Sequence, residues 1–279
     1  MEMNPRRPFD LTLFKQRAPH WSGQILYFPK IDSTNKEARR RLRQHPTQPQ
    51  ELLLVADEQT AGRGRLGRSW QAPPHSGLLS TLVLQLAPLP LNRVFLYVAG
   101  LALSVIKATE KLQPDANVKL KWPNDLVREG KKVGGILTEL ENNLGQAKNE
   151  TWVVIGFGLN LSLTTEDLAE AALSSKATNL TPQPLELEQL LATILYYFAE
   201  YRAVLTSNPE TARLEWAAAL TTLGHEVHVL NSVGLVEKAG LATDVTKEGA
   251  LVVLDKAGIR HFVQAGDVSI RRPDGSYSD

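Results

Sequence analysis

Cysteine is absent from this 279-residue chain, which excludes disulfide frameworks, thiolate nucleophiles and cysteine-based metal sites. An excess of either charge is also absent, since the formal net charge is +1, and this disfavours a protein whose main activity is to hold nucleic acid. Long apolar runs are missing too. The most apolar helical stretch, 190–198, is much shorter than the roughly 20 residues that span a bilayer, and no secretory-type run follows the N-terminus. We therefore expect a cytoplasmic protein without membrane contact.

The composition is that of an ordinary globular protein, with 43% hydrophobic and 22% charged residues. The length suits one large domain and one small one. Residues 1–22 are rich in Pro and Arg and predict only an arm or a short edge element. Apolar runs predict strands at 24–28, 52–56, 78–86, 118–122, 132–141 and 152–159. Periodicity and end signals predict helices from Thr34 and at 93–112, 186–205 and 210–220.

The character of the sequence changes at Gly224. From there, short β-type runs alternate with turn signals such as Gly258 and Gly266, as is typical of a small all-β barrel. We therefore expect a domain over residues 1–223 and a second over residues 224–279. Strands of the second domain are predicted at 226–230, 234–242, 250–254, 259–263 and 268–270.

The most informative segment is the glycine-arginine loop, residues 62–70, which reads Gly-Arg-Gly-Arg-Leu-Gly-Arg-Ser-Trp. It formally fits a dinucleotide fingerprint and nearly fits a P-loop, but both need a helix to open directly after the glycines. Residues 71–77 contain two prolines and a glycine and exclude that helix. Three arginines, Arg63, Arg65 and Arg68, nevertheless supply forked donors for phosphate oxygens. We expect a loop that orders over a bound phosphate, and the alternative is a solvated connector.

A second informative segment is 121–125, Lys-Trp-Pro-Asn-Asp, at the end of a predicted strand. A turn at 129–130 predicts a hairpin that brings Asp125 near Lys132. The carboxylate could order Mg²⁺ or an incoming amine, and the lysine could neutralise an α-phosphate. The glycines at 134–135 permit close approach of a ligand. Each residue alone also fits a structural role: a plain turn, a surface charge or, for the tryptophan, a core position.

Taken together, several segments resemble the biotin–protein ligase family, in the family's order. The resemblance implies an α+β fold: a mixed sheet with helices, similar to class II aminoacyl-tRNA synthetases, followed by a small SH3-like β-barrel. The matching segments are Ser33-Thr34-Asn35, Gln59 to Trp70, Lys121 to Asp125, Lys132 to Glu139, Gly156 to Asn160 and Gly266 to Arg271.

The resemblance also implies roles for individual residues. It implies biotin contacts for Ser33, Thr34, Asn35, Gln59, Arg63, Gly64, Arg65, Lys132, Gly134 and Gly135. It implies ATP contacts for Arg65, Arg68, Trp70, Lys121, Asn124, Asn160 and Arg271. Catalytic roles would fall on Arg63, Arg65, Lys132 and Asp125, with Asp125 also a candidate Mg²⁺ ligand. For Thr34 the alternative is a helix-capping box with Glu37.

The function expected from this resemblance is ATP-dependent ligation of biotin to a lysine of the biotin carboxyl carrier protein of acetyl-CoA carboxylase. ATP and biotin are the substrates, Mg²⁺ the cofactor, and biotinyl-5′-AMP the intermediate. The stretch before Ser33 is too short for the helix-turn-helix of the family's repressors, so no DNA binding is expected, and a homodimer stays open. The alternatives are a lipoate–protein ligase, a nucleic-acid-binding module that uses the arginines, and a non-catalytic scaffold.

Overall fold

A computed structural model of the chain describes residues 6–44, 51–86, 91–142, 151–171, 173–174, 176–231, 235–264 and 267–271. Its helices are α1 (Leu11–Arg17), α2 (Thr34–Gln44), α3 (Phe95–Leu112), α4 (Thr165–Glu170), α5 (Leu187–Ser207) and α6 (Pro209–Ala219). Its strands are β1 (Gln24–Phe28), β2 (Leu52–Ala56), β3 (Gly77–Gln85), β4 (Lys119–Lys121), β5 (Asp125–Arg128), β6 (Lys131–Asn142), β7 (Thr151–Asn160), β8 (Glu226–Leu230), β9 (Val236–Val245), β10 (Leu251–Leu254), β11 (Arg260–Val263) and β12 (Asp267–Arg271). In the part of the chain described, each helix is too short or too polar to cross a membrane.

The larger sheet is mixed, as expected. Its order is β1-β2-β3-β7-β6-β5-β4, with β1 and β2 parallel and the other neighbours antiparallel. β2 is buried throughout because both faces of the sheet are covered. Leu52 and Leu54 pack with Ala38 and Leu42 of α2 on one face. Leu53 and its neighbours join the larger core on the other face, where α3 packs against α5.

The segment before β1 differs from the prediction, because it contains a helix. Asp10 caps α1 by accepting a hydrogen bond from the Leu13 N–H at 2.9 Å. Phe14, on the inner face of α1, is 0% exposed, and α1 packs against α5. The expected arm is therefore wrong for residues 11–17. Burial against a distant helix stabilises this element, and local periodicity does not report such burial.

The smaller sheet is antiparallel, has the order β11-β10-β9-β8-β12, and is consistent with an SH3-like domain. Contacts link it to the larger sheet. The Trp122 indole N–H donates to the Gly249 carbonyl at 3.0 Å. Gly249 has a φ of 81°, and a β-carbon there would lie 2.6 Å from the Phe95 ring. This turn of the smaller sheet therefore needs glycine both for its backbone and for its packing.

Candidate active site

One cavity, of about 690 Å³, collects most of the residues predicted to be functional. Its volume is typical of a small-molecule site. The predicted residues that line it are Ser33, Thr34, Asn35, Gln59, Arg63, Gly64, Arg65, Arg68, Trp70, Lys121, Asn124, Asp125, Lys132 and Gly135. The segments that seemed separate along the chain therefore share one space.

One part of the cavity, the neutral end, consists of Ser33, Thr34, Asn35 and Gln59 around the start of α2. The Thr34 backbone N–H donates to Gln59 Oε1 at 2.7 Å, and the Thr34 hydroxyl lies 3.1 Å from the same oxygen. Thr81 Oγ1, beneath them, lies 2.8 Å from Thr34 Oγ1 and 2.7 Å from Asn35 Oδ1. Ser33, Thr34 and Asn35 are 1%, 3% and 4% exposed. Such a fixed set of neutral donors and acceptors suits a small polar ring.

The hydrogen bonds of the neutral end correct one prediction about α2. The hydroxyl of Thr34 contacts Gln59 and Thr81, while Glu37 pairs with Arg40 and Arg41. These contacts replace the capping box that the sequence offered as the alternative. Thr34, the first residue of α2, therefore lines the cavity and forms no capping box with Glu37.

Two glycines of β7 make room for this site. A β-carbon at Gly156 would lie 2.0 Å from Asn35 Oδ1. A β-carbon at Gly158 would lie 2.7 Å from the Trp70 ring. In the sequence, these glycines belong to the matching segment Gly156 to Asn160 but had no assigned role. The structure explains them by the side chains that lie against the strand.

The glycine-arginine loop is a short hydrogen-bonded hairpin rather than an open connector. Gly64 N–H donates to the Arg68 carbonyl at 2.8 Å, and Trp70 N–H donates to the Gly62 carbonyl at 3.0 Å. A 3-10 turn at Arg65–Gly67 forms its tip. A β-carbon at Gly62 would lie 2.4 Å from the Trp70 carbonyl oxygen, so this position requires glycine.

Opposite the loop lies the hairpin of β5 and β6. Glu129 and Gly130 form its turn with φ values of 51° and 74°, the pair of positive φ angles that a two-residue type I′ turn needs. The hairpin brings Lys132 Nζ to 2.6 Å from Asp125 Oδ1, as the spacing predicted. Lys132 and Asp125 are 39% and 31% exposed, so both remain open to the cavity.

We call Arg65, Arg68, Asp125 and Lys132 the cationic end of the cavity. Arg65 donates to Asn124 Oδ1 at 3.1 Å. Burial lowers the pKa of the Arg65 guanidinium, while Asp125 opposes this shift and Arg68 adds to it. The arginine keeps its charge but has lost water, so an anionic ligand would gain more from it than from an exposed arginine.

Trp70 forms a wall between the loop and the hairpin. Its ring lies 5.7 Å from Lys132 Nζ. Its Nε1 is buried and meets no acceptor among the described residues. The aromatic face of Trp70 is therefore suited to form a wall for a ligand.

Two predicted residues of the described part do not line the cavity, and the side chain of a third lies outside that part. Gly134 faces Leu159 and the Gly158 carbonyl, at 2.5 and 2.8 Å from the position of a β-carbon, so its smallness serves strand packing. Asn160 donates to the Thr178 carbonyl at 3.2 Å. Arg271 is in β12, and its side chain lies outside the described part of the structure.

Sequence reasoning missed other residues that line the cavity. Lys176 reaches it because its carbonyl accepts from the Lys132 N–H at 2.8 Å, and Ala177 bridges to Lys132 in parallel. Leu230, at the end of β8, also lines the cavity and belongs to the smaller sheet. Neither residue lies in a recognisable motif. Only the folded chain brings them to the site.

The acidic residues permit only a limited metal site. Among the described residues there is no group of three His, Asp or Glu that could hold a metal ion. Of the described residues that line the cavity, Asp125 alone is a carboxylate. Mg²⁺ commonly uses one or two protein carboxylates together with substrate phosphates. The donor set therefore fits an ion that arrives with a nucleotide.

Comparison with known proteins agrees with this geometry. The sequence profile of the Biotin/lipoate A/B protein ligase family matches residues 27–160. Biotin--[acetyl-CoA-carboxylase] ligase of Paracoccus denitrificans is 31% identical over 248 residues, which cover 86% of this chain and 97% of that protein. The bifunctional ligase/repressor BirA of Bacillus spizizenii is 29% identical over 248 residues, covering 86% of this chain and 72% of its own.

The fold is similar to solved structures as well. Biotin protein ligase from Aquifex aeolicus, solved in complex with biotin and ATP, superposes with a TM-score of 0.68 at 26% identity. The match covers 89% of this chain and 99% of that chain. The similarity therefore spans both sheets and not the cavity alone.

Proposed function

The chain belongs to the biotin/lipoate protein ligase family, and from this membership we infer that it activates biotin with ATP and ligates it to a lysine of a carrier protein. Biotinyl-5′-AMP is the intermediate. The observation that carries this function is the shape of this cavity, which joins a neutral, hydrogen-bonding end to a cationic one. An acyl-adenylate has the same two-part character, with a polar ring at one end and a phosphate linked to a nucleoside at the other.

In the first step, the carboxylate of biotin attacks the α-phosphate of ATP. The two groups are both anionic, so the reaction needs positive charge and fixed geometry. Lys132 and Arg65 provide the charge from opposite sides of the cavity. Pyrophosphate leaves, and the product is a mixed anhydride. Arg63 and Gly64, in the glycine-arginine loop, are proposed to hold the carboxylate.

In the second step, a lysine of the carrier attacks the mixed anhydride. The amine must be neutral, and Asp125 is the carboxylate of the cavity that can orient or deprotonate it. Its hydrogen bond to Lys132 keeps it within the reacting region. Water must be excluded until the carrier arrives. The hairpin of the glycine-arginine loop, with Trp70 at its end, is proposed to provide this shield.

Asp125 is proposed as the residue that would hold Mg²⁺ together with the phosphates of ATP. When bound, the ion neutralises phosphate charge and favours departure of pyrophosphate. Trp70, Lys121 and Asn124 line the same part of the cavity and are proposed to contact the nucleotide. Asn160 and Arg271 are also proposed to contact ATP; Asn160 donates to the Thr178 carbonyl in the structure, and the side chain of Arg271 lies outside the described part.

The proposed carrier is the biotin carboxyl carrier protein of acetyl-CoA carboxylase, and the proposed compartment is the cytoplasm, where ATP is available. We also propose a domain boundary near residue 223, where the last helix gives way to the smaller sheet. A homodimer stays open as the assembly state.

A nucleic-acid-binding role has less support, because the arginines of α2 are occupied. Arg39 and Arg43 pair with Glu141 on β6, and Arg40 donates to Asp32 at 2.9 Å. These carboxylates compete with phosphate for the same guanidinium groups. We therefore propose that the protein does not act on DNA. A binding measurement at low and high salt tests this, and strong salt-dependent binding would contradict it.

The direct test is to incubate the protein with ATP, Mg²⁺, biotin and a purified carrier domain, and to measure the mass of the carrier. We expect the mass of one biotinyl group on a single lysine, together with pyrophosphate release. A parallel reaction with lipoate in place of biotin decides between the two acids that the family name covers. Pyrophosphate release with lipoate alone would overturn the choice of biotin, and release with neither would overturn acyl adenylation.

A further inference from the structure

Glu139 lies on β6, outside the cavity. Its carboxylate is hydrogen-bonded both to the glycine-arginine loop and to α2, which carries part of the neutral end. Its Oε1 accepts from Arg63 Nη1 of the glycine-arginine loop and from Arg39 Nη1 of α2, both at 3.1 Å. Its Oε2 accepts from Asn35 Nδ2 at 3.0 Å. Two of these three partners, Asn35 and Arg63, line the cavity. Glu139 itself is not among the lining residues, so any effect on a ligand must pass through its partners.

The carboxylate determines which way the Asn35 amide points. The Glu139 carboxylate accepts from two arginines, and a carboxylate has no proton to donate. The Asn35 amide nitrogen must therefore face Glu139, and Oδ1 must face Thr81 Oγ1, 2.7 Å away. Oδ1 also packs closely against Gly156, and this contact keeps the amide group from rotating to another position.

The direction of this first bond sets the direction of the next ones. A hydroxyl has one proton, so a Thr81 that donates to Asn35 can only accept from Thr34, 2.8 Å away. Thr34 then has no proton left for Gln59 Oε1, which already accepts from the Thr34 backbone N–H at 2.7 Å. Two oxygens, Thr34 Oγ1 and Gln59 Oε1, are left as acceptors at the cavity wall. A ligand N–H supplies the donor that they lack.

We propose that Glu139 is a positioning residue, which makes the neutral end of the cavity an acceptor of ligand N–H groups and ties the glycine-arginine loop to it through Arg63. The inference rests on the proposed function, because the ureido ring of biotin carries such N–H groups. Without Glu139 the amide of Asn35 can turn over. The hydrogen bonds would then run the other way, from Asn35 to Thr81, Thr34 and Gln59, and the acceptors would be consumed within the protein.

The structure offers a matched control on the same strand. Glu141 lies two residues further along β6 and also accepts from arginines, namely Arg39 and Arg43. In the described part of the chain it has no recorded hydrogen bond to a residue that lines the cavity. Loss of Glu141 removes the same charge and a similar ion pair, but it leaves the Asn35 amide held by Glu139.

The experiment measures biotin affinity by titration calorimetry, then the KM values for biotin and ATP, in wild type, Glu139→Ala, Glu139→Gln and Glu141→Ala. We expect Glu139→Ala to weaken biotin binding about tenfold, because a charged hydrogen bond and its chain are lost. The KM for ATP should change much less. Glu139→Gln, whose carbonyl oxygen can still accept from Asn35, should restore most of the affinity, and Glu141→Ala should bind biotin as wild type does.

Thermal unfolding of each variant separates positioning from folding. A folded Glu139→Ala with unchanged biotin affinity would overturn the proposal, and so would an equal loss in Glu141→Ala. If Glu139→Ala does not fold, Thr81→Val decides the question, because it breaks the same chain of hydrogen bonds. It should weaken biotin binding about tenfold, and unchanged affinity in this variant would overturn the proposal. Failure of wild type to bind biotin would instead contradict the proposed function and leave the hydrogen-bond direction to be tested with another cyclic urea.

Discussion

The two ends of the cavity differ in how their side chains are prepared for a ligand. At the neutral end, Thr34 and Asn35 are buried and already hydrogen-bonded to their neighbours. At the cationic end, Lys132 and Asp125 remain about a third exposed and pair with each other. The first end is organised before a ligand arrives. At the second end, Arg65 is already partly desolvated, while the charges of Lys132 and Asp125 act more strongly once a ligand excludes water. Hydrogen bonds between neutral groups therefore recognise the ring, and charges promote the reaction.

The largest effect expected from this division is at Lys132. Lys132→Ala removes the ammonium group that faces the glycine-arginine loop, and we expect the adenylation rate to fall about 100- to 1000-fold, the typical cost of losing one transition-state donor. Biotin affinity should fall much less than the rate, because Lys132 faces the carboxylate and not the ring. Pyrophosphate release and biotin titration measure the two quantities.

Lys131→Ala is the control for this experiment. Lys131 is the preceding residue on β6, and its ammonium donates to the Ser174 carbonyl at 3.1 Å instead of lining the cavity. It should retain wild-type rates. A comparable loss in both variants would mean that the strand, and not the charge in the cavity, controls the reaction.

A smaller effect is expected at Arg65, which belongs to the cationic end but reaches it from the loop. Arg65→Ala should still form the adenylate but release it at least about tenfold faster, because a charged hydrogen-bond donor at the phosphate is lost. Chromatography of the filtrate detects the released adenylate. Arg65→Lys keeps the charge but loses the fork, and should give intermediate release. Normal retention by Arg65→Ala would contradict the shielding role of the loop.

The cationic end was more predictable from sequence than the neutral end, for a physical reason. The Asp125–Lys132 pair depends on a local hairpin, whose turn is encoded by Gly130, so the spacing predicts the contact. The loop arginines stand out for a similar local reason. The packing of Asn35 on Gly156 depends instead on residues that are more than a hundred positions apart, and no local pattern reports it.

The same difference between local and long-range contacts separates the parts of the fold that were predicted from those that were not. β1, β2 and β8 have the predicted limits, because each is an apolar or alternating run bounded by turn residues. β9 extends to Val245, three residues beyond the prediction, where a bulge between Val252 and Val253 adjusts its pairing with β10. Such irregular pairing is determined by the neighbouring strand.

A modest and selective effect is expected at Thr34. Thr34→Val keeps the shape but removes a hydroxyl that contacts Gln59 and Thr81. We expect the KM for biotin to rise about tenfold, the cost of leaving buried partners unpaired, with little change in the KM for ATP. The increase should be the same at low and high salt, because no net charge is involved. An equal rise in both KM values would contradict the assignment of this end to the ring.

The smallest effect is expected from the ion pair of Arg40 and Asp32, on the surface beside the neutral end. Arg40 donates to Asp32, the residue before Ser33, and this hydrogen bond is the main cause that lowers the pKa of Asp32 to about 2. A carboxylate with a lowered pKa stabilises the folded state above its unfolded pKa of about 4, and this contribution disappears as the pH falls towards 2. The side chains are 46% and 35% exposed, so solvent screening limits the contribution to a few tenths of a kcal/mol.

Arg40→Ala should therefore lower the melting temperature slightly at pH 7, and the difference from wild type should shrink between pH 4 and pH 2. Lys36→Ala, whose ammonium is 4.0 Å from the same carboxylate, should cause a smaller change. Biotin affinity should stay constant in both variants, because the hydrogen bonds among Thr34, Thr81 and Asn35 do not include Asp32. Loss of biotin affinity in Arg40→Ala at unchanged stability would show that a surface charge affects binding at the neutral end. It would contradict the claim that only the cationic end depends on charge.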